Sequence, residues 1–281
     1  MAGSTFPFTD GYVITAAGQN EAHSIERGIG DGSDGAYDSD GNDTITAGQI
    51  YQHTTFTLNA GDTMDGTATA TGLPYVILVQ GDCVINGDFD FSGDGYSKEN
   101  GADDSYYSTA GNAGMHHGAG SGGGGGGAGH VSGSGGETKA DAGGSGGKRH
   151  IFFHLTPMIP NQNALVFSGT GGGDGGGGDN GGVGGGSLML IVGGDLTFGA
   201  ASGITLNGTN GGDTNDHIGA GGGGGAGCAY VLYYGTLTDG GVSWSHSAGS
   251  GGTASGTGGN GGNGGAGTHI IRKYDAVYDY P

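Results

Sequence analysis

The stretch "GGDGGGGDNGGVGGGSLMLIVGGDLTFG", residues 172–199, joins a tract of nearly pure glycine to a run of apolar residues. Glycine loses more backbone entropy on ordering than any other residue, and a tract this dense is therefore usually disordered. The run "LMLIV" that follows has the length and composition of a β-strand buried on both faces. Because the two kinds of segment alternate along the chain, the apolar strands can anchor the ends of each glycine tract. The pattern therefore predicts that the glycine tracts are ordered.

Composition argues against both a collagen-like helix and a flexible linker. Of the 281 residues, 76 are glycine and only 5 are proline, and there is no strict glycine period of the collagen kind. A flexible linker is also a poor match, because Tyr, Phe, Val, Ile and Leu recur in clusters between the tracts, and disordered chains lack such clusters.

A repeat is visible once the apolar clusters are aligned. Each unit has an apolar strand, a polar turn, a second strand and a glycine tract, and the units start near residues 75, 151, 188, 229 and 268. The last four starts are separated by 37, 41 and 39 residues, whereas the first gap is 76 residues and holds either an insertion or a degenerate unit. Such a period indicates one pass of a solenoid. We predict an all-β fold with an irregular β segment at 1–50, for attachment or capping, and a β-solenoid-like glycine-rich repeat domain at 51–281.

The glycine tracts have a period of their own. In "SGTGGNGGNGGAG", residues 255–267, the side chains of Asn260 and Asn263 recur every three residues. A polyproline II backbone has three residues per turn and no internal hydrogen bonds, so such a tract would keep a bare face toward its neighbours. Helices without Cβ atoms can pack backbone to backbone and hydrogen-bond to one another. We therefore predict packed polyglycine II helices; the alternative is that the tracts are loose connectors.

Charge and hydropathy limit the partners. Acidic residues outnumber basic ones by 27 to 7, for a net charge of −20, which disfavours nucleic acid and anionic membranes and suits a halophilic source. The apolar runs are too short for membrane insertion. The N-terminus has no signal-peptide pattern, so synthesis in a cytoplasm is expected. Cys83 and Cys228 show no metal or disulfide spacing and are expected to be buried thiols.

Two motifs carry a resemblance to a known family. The opening "GDGSDG", residues 30–35, and the turn "GDCVING", residues 81–87, resemble the glycine-rich virion proteins of tailed viruses. The glycine-packed half is similar to tail-fibre tip adhesins, in which polyglycine II helices form a sandwich and the joining loops recognise host receptors. The resemblance implies a non-enzymatic protein of the virion surface that binds a host cell-surface receptor, a glycan or a protein, alongside other tail or fibre proteins. Whether it acts as a monomer or a homotrimer stays open.

Two other functions are compatible with these features. One is a structural virion component, such as a capsid turret, decoration or fibre subunit. The other is a polysaccharide-cleaving tailspike, which would need two carboxylates at a defined separation, and no such pair stands out. No order of Ser, His and Asp indicates a catalytic triad either. We therefore expect no enzymatic activity and no cofactor.

Irregular insertions are the expected recognition sites, because loops on a rigid scaffold commonly carry binding residues. They span 95–118, 207–219 and 240–249. The candidate receptor-binding residues in them are Tyr96, Tyr106, Tyr107, His116, His117, Asp216, His217 and His246. A structural role is an open alternative for each, and Trp244 is expected to belong to the core.

The acidic segment 31–44 is a weak candidate for calcium through Asp38, Asp40 and Asp43. It does not match an EF-hand loop, because Asp43 stands where the sharp turn needs glycine. A solvated, turn-rich loop is the alternative. The adjacent His116 and His117 would point to opposite sides of an extended chain, so a zinc site is not expected there.

Overall fold

The computed structural model describes residues 29–67, 73–95, 169, 172, 181–214, 220–255 and 259–274, and the backbone of 152–153 and 164–165. This described part is all β, with no helix. Its strands are β1 Gly35–Asp38, β2 Asp43–Thr46, β3 Ile50–Leu58, β4 Thr63–Thr67, β5 Tyr75–Val79, β6 Cys83–Ile85, β7 Asp88–Asp90, β8 Phe152–Phe153, β9 Ala164–Leu165, β10 Leu188–Val192, β11 Leu196–Phe198, β12 Gly203–Thr205, β13 Cys228–Tyr233, β14 Leu237–Asp239, β15 Ser243–Ser245 and β16 Thr268–Lys273.

Two parallel sheets contain most of these strands. The larger has the order β14-β11-β6-β3-β5-β10-β13-β16, with β1 also paired to β3, and the smaller has the order β15-β12-β7-β4-β2. The first half of β3 pairs with β5 and its second half with β6, so β3 joins two columns of strands into one sheet. Parallel neighbours need long connections. Here the chain visits all three columns of strands and then a glycine segment before it returns, and we call this circuit a pass.

Successive passes are stacked in register. Leu188 pairs with Tyr75 on one side and with Ala229 on the other, and Ala229 pairs with His269. Three of the unit starts aligned in the sequence therefore lie side by side, and the last lies one residue from its aligned position. The side-chain pattern explains this register, because a slip of one residue would turn every side chain to the other face of the sheet.

Two features of the predicted organisation need correction. The unit expected at 151 is not in the stack, because β5 pairs directly with β10, and β8 pairs with β9 as a separate antiparallel pair. The gap after 75 is thus an insertion. The boundary at residue 50 is also not a structural one: β1 pairs with β3 and β2 with β4, so residues 29–50 are built into the same two sheets. Residues 1–28 lie outside the described part.

The core lies on both sides of the larger sheet. All five side chains of β10 are buried. Leu188, Leu190 and Val192 belong to the main cluster, which also contains Phe89 and Phe198 from the other strand columns. Met189 and Ile191 point the other way, into a second cluster with Leu78 and Leu232. This two-sided burial accounts for the continuous apolar run, in place of the alternation seen in a half-exposed strand.

Glycine segments return the chain from the smaller sheet to the larger one. Outgoing segments, 206–214 and 246–255, leave the smaller sheet, and returning segments, 181–187, 220–227 and 259–267, lead back to the larger one. Every residue of 220–227 is buried. In 259–267 exposure repeats every three residues, with Asn260, Asn263 and Ala266 exposed. The exposed side chains therefore share one side of that segment.

Backbone hydrogen bonds join the segments at the same three-residue spacing. From the segment 220–227, the amides of 220, 223 and 226 donate to the carbonyls of 259, 262 and 265 at 2.9–3.0 Å. The next amides along, 221, 224 and 227, donate to 212, 209 and 206 at 2.8–3.1 Å. Its carbonyls accept from 182 and 185 in a third segment, and from 249 and 252 in a fourth. One segment is thus hydrogen-bonded to four neighbours, and six of its eight amides find backbone acceptors without a sheet.

The glycine segments can lie this close to one another only because their contact positions carry no side chains. A Cβ built at Gly249 would lie 1.8 Å from the Thr209 carbonyl oxygen, and one at Gly224 would lie 2.0 Å from that of Val183. These obstacles are backbone atoms that are themselves hydrogen-bonded, so they cannot turn aside as a flexible side chain could. The glycines are therefore required by contact between segments.

We expect Gly249→Ala to destabilise the protein by about 1–3 kcal/mol or more, as overpacking does. Gly249 has no positive φ, so an alanine could adopt its backbone conformation. The loss of stability would therefore measure the steric clash with the Thr209 carbonyl. Ser250→Ala is the matched control, since the neighbouring Ser250 is exposed in the same segment; a change within about 0.5 kcal/mol is expected there. Equal unfolding free energies of the two variants in chemical denaturation would contradict the packing.

A half-buried carboxylate lies where the sheets meet the glycine segments. The ring of Tyr75 stacks on Phe91 with centroids 4.1 Å apart. Asp94 lies beside the Tyr75 hydroxyl, and a Cβ at Gly66 would collide with both groups. Burial is the main cause that raises the pKa of Asp94 to about 6; the nearby carboxylates of Asp90 and Asp65 act in the same direction, and the Tyr75 hydroxyl acts against it.

The raised pKa predicts a specific dependence of stability on pH. Between about pH 4 and 6 the folded protein binds a proton at Asp94 that the unfolded chain does not, so the contribution of this group to stability falls as pH rises through that range. Asp94→Asn should therefore be more stable than wild type above pH 7 and lack this part of the decline. Asp88→Asn, an exposed change on β7, should keep it. Denaturation curves across this range measure both, and identical pH profiles for Asp94→Asn and wild type would refute the assignment.

Candidate functional site

Neighbouring outgoing and returning segments reverse direction along one edge of the glycine layer. The Thr214 amide donates to the Thr253 carbonyl at 3.0 Å, and the Ala220 amide donates to the Gly259 carbonyl at 3.0 Å. The ends of two successive outgoing and returning pairs therefore lie next to each other. We call the edge formed by Thr214, Ala220, Thr253 and Gly259 the reversal edge. The connections 215–219 and 256–258 start and end there.

The same arrangement occurs one pass earlier in the chain. The amides of Gly169 and Gly172 donate to the carbonyls of Gly185 and Gly182 at 2.7 Å, so the segment that contains them runs antiparallel to 181–187. The Gly182 amide in turn donates to Gly222 at 2.8 Å. The connection 173–180 thus joins a third pair of segments, in line with the other two.

Most of the predicted receptor-binding residues lie outside the described part of the chain. These are Tyr96, Tyr106, Tyr107, His116, His117, Asp216 and His217. Asp216 and His217 belong to the connection 215–219 at the reversal edge. The insertion that contains the other five leaves the layer at Gly95 and re-enters it at Gly169, whose amides donate to Gly184 and Gly185. Both its ends therefore meet the layer at one place.

The segment 207–213, predicted to be part of an irregular loop, is ordered within the layer. The side-chain oxygens of Asn207, Asn210 and Asp213 accept hydrogen bonds from the amides of 247, 250 and 253 at 2.6–2.8 Å. The acceptors recur every three residues and bond the next outgoing segment. Their role in the described structure is to join neighbouring segments, so the prediction of an irregular loop is wrong for 207–213; residues 215–219 lie outside the described part.

His246 is the one predicted receptor residue that the structure describes, and it lies in a stack of rings. Its Nε2 is 3.1 Å from Nδ1 of His269, one nitrogen serving as donor and the other as acceptor. The Trp244 ring stacks on His269 with centroids 4.2 Å apart and planes 10° apart. The region 240–249 is therefore not an irregular loop: it holds β15 and the start of an outgoing segment. Trp244 packs against the main core, as predicted for it.

The sequence patterns did not identify His269 as a functional residue. Its place in the repeat is nevertheless unusual, because a histidine stands where the other passes have buried residues. His269 pairs with Ala229 in the larger sheet. Burial lowers the pKa of His269, and the neighbouring His246 lowers it further. The stack therefore favours a neutral His269 in the folded protein.

The acidic segment shows no arrangement for calcium in the described structure. Asp43 accepts a hydrogen bond from the Tyr37 hydroxyl at 2.5 Å, and Asp38 accepts one from the Asn59 side chain at 2.8 Å. Asp40 is exposed. Across the described residues, no group of three or more His, Cys, Asp or Glu side chains could hold a metal ion. Asp38, Asp40 and Asp43 are thus not brought together as one ligand set.

Comparisons of the chain with family models, curated proteins and solved structures gave no match. Within the described ranges, no helix is long and apolar enough to cross a bilayer.

The ring stack predicts a fluorescence change with pH. The protein has a single tryptophan, so Trp244 reports on the stack alone. Because the folded pKa of His269 is lowered, its stabilising contribution is complete at neutral pH and is lost as pH falls below the ordinary value for histidine. We expect Trp244 emission to change with a midpoint below 6.5 in wild type, and this transition to disappear in His269→Phe. A transition that persists in that variant would assign it to another group.

Proposed function

We propose that the glycine segments are polyglycine II helices and that the passes form a β-solenoid. Three observations support this: hydrogen bonds between segments every three residues, exposure with the same period in 259–267, and strands stacked in parallel register. A three-residue turn without internal hydrogen bonds is the property that separates this helix from an α-helix or a strand.

We propose further that the protein is a non-enzymatic virion surface protein that binds a receptor on the host cell, as an adhesin of a tail fibre or tail tip. The observation that carries this proposal is the reversal edge, where the residues that flank the two connections are hydrogen-bonded in pairs, Thr214 to Thr253 and Ala220 to Gly259. Loops held at both ends by such a scaffold can vary in sequence without loss of the fold. The resemblance in residues 30–35 and 81–87 provides the viral context.

Adsorption assays test this proposal. The purified protein should bind host cells and compete with the virus for adsorption. Replacement of 215–219 by a Gly-Ser sequence of equal length, together with Thr257→Ala in 256–258, should reduce both effects without lowering the melting temperature. Ser250→Ala, in the adjoining outgoing segment, is the control and should bind as wild type does.

The insertion is a second place for recognition within the same function. Exchange of 96–118, which contains Tyr96, Tyr106, Tyr107, His116 and His117, would transfer host preference if the tyrosine-rich insertion makes the contact. Normal adsorption after all three replacements would refute the adhesin proposal. Release of sugar from host envelope polysaccharide would point instead to a tailspike.

A structural virion component is the second candidate, favoured by the last pass. Among the described strands, β14, β15 and β16 each pair on one side only. Leu237, Trp244 and Ile271 near these edges are only partly buried against the core. Such edges can accept a strand from another virion protein or a second copy. Stable particle incorporation without binding of the free protein to cells would favour this function.

A further inference from the structure

A pocket of about 240 Å³ lies at the N-terminal end of the stack, among β1 to β5. Its lining has an apolar part of buried side chains, Ile45, Phe56, Met64 and Ile77. Its remaining lining residues carry polar groups: Tyr37, Asp43, Thr44, Tyr51 and His53. An apolar surface with a few polar groups is typical of sites for small organic ligands, and this volume suits one smaller than a drug molecule.

One residue that lines this pocket has a polar atom without a partner. His53 is only 8% exposed, and its Nδ1 is buried without a hydrogen bond. Burial lowers the pKa of His53, although Asp34 and a hydrogen bond to the Gly35 backbone act against that, so the ring is neutral at pH 7. A neutral imidazole carries its proton on one nitrogen only, and when the other nitrogen holds that proton Nδ1 presents a lone pair. A buried acceptor without a donor is costly, and a ligand that supplies one would remove that cost.

The other polar groups define what the ligand must bring. The Tyr37 hydroxyl donates to Asp43, and the Tyr51 hydroxyl donates to Gln49 at 3.0 Å while it accepts from the Thr46 amide at 2.8 Å. Both phenol protons are therefore in use. The second oxygen of Asp43 and Nδ1 of His53 are acceptors, so the ligand must carry at least two donors. An anionic ligand is disfavoured whatever donors it carries, because the Asp43 carboxylate repels it.

The arrangement of the rings favours a neutral ligand over an organic cation. Tyr37 and Phe56 stack on each other with centroids 4.6 Å apart and planes 20° apart. Their facing surfaces are covered by one another, whereas a cation needs open ring faces around it. The charge of Asp43 is also already engaged by Tyr37. A ring with apolar C–H groups and several hydroxyls meets both the apolar and the acceptor side of the pocket.

We propose that this pocket binds a neutral hexose unit, with its hydroxyls donating to Nδ1 of His53 and to the carboxylate of Asp43. The pocket is distinct from the reversal edge, and the proposal stands whether or not the protein is a viral adhesin. Thr44, which is exposed on β2, provides a further hydroxyl where the pocket meets the surface.

Ligand-observed saturation-transfer NMR on the full chain tests this, with D-glucose, D-galactose and D-mannose as probes and D-glucuronate and choline for comparison. We expect at least one neutral hexose to bind with a dissociation constant of about a millimolar and glucuronate not to bind. His53→Phe keeps an aromatic ring against Tyr37 and Phe56 but removes the acceptor, and it should weaken binding by about tenfold or more. Asp43→Asn keeps an acceptor for Tyr37 and should also weaken it.

The matched control is Asp65→Asn, which removes an exposed carboxylate from the neighbouring β4 and should leave the affinity unchanged. Melting temperatures establish that each variant is folded; should His53→Phe fail to fold, Asp43→Asn carries the test alone. Three results would overturn the proposal: no hexose binds, so that water alone satisfies His53; binding is unaltered in the folded variants; or choline binds in preference to every hexose.

Discussion

The hydrogen bond between a glycine amide of one segment and a carbonyl of the next is the interaction on which the rest of this structure depends. It forms only because neither backbone carries a Cβ at the contact. The segment 220–227 shows the consequence: it is wholly buried and hydrogen-bonded to four neighbours, with most of its amides paired although it belongs to no sheet or helix. An alanine at Gly224 or Gly249 would place a carbon atom against a carbonyl oxygen. Since ordering glycine costs more entropy than ordering any other residue, a single isolated segment would not be stable.

The strands provide what the glycine lacks. β5, β10, β13 and β16 align in one register and bury apolar side chains on both sides of the larger sheet, which fixes where each returning segment ends. As a result, residues that are one pass apart in the sequence lie next to each other in the glycine layer. For example, the amide of 223 donates a hydrogen bond to the carbonyl of 262. Sheet and layer therefore stabilise each other. The junction between them is also tightly packed, as the carboxylate of Asp94 beside Tyr75 shows.

This construction restricts where the protein can vary. Residues inside the layer are mostly glycine, with the small Ala220 and Ala226 also buried there, or have exposed side chains as Asn260 and Asn263 do; residues inside the sheets must fill the core. The reversal edge, the last pass and the N-terminal pocket lie at the margins of the layer and the sheets, where these requirements apply to fewer side chains. They are also the places where the described structure holds stacked rings, as around Trp244, or an unpaired acceptor, as at His53. Functions proposed for this protein accordingly belong to the boundaries of the scaffold.

The amino-acid sequence by itself determined the all-β class, the register of Tyr75, Leu188 and Ala229, and the common side shared by Asn260 and Asn263. These follow from local pattern: a two-sided apolar run can be buried only between two layers, and a three-residue period gives each side chain the same direction. The tertiary structure alone decided that the apolar cluster at 151 stands outside the stack, since that cluster has the same composition as the others and differs only in its partners. It also decided that His246 meets His269, and that His53 faces a pocket without a donor. Such contacts join residues from different passes or strands, and a linear pattern does not encode which side chains meet across that distance.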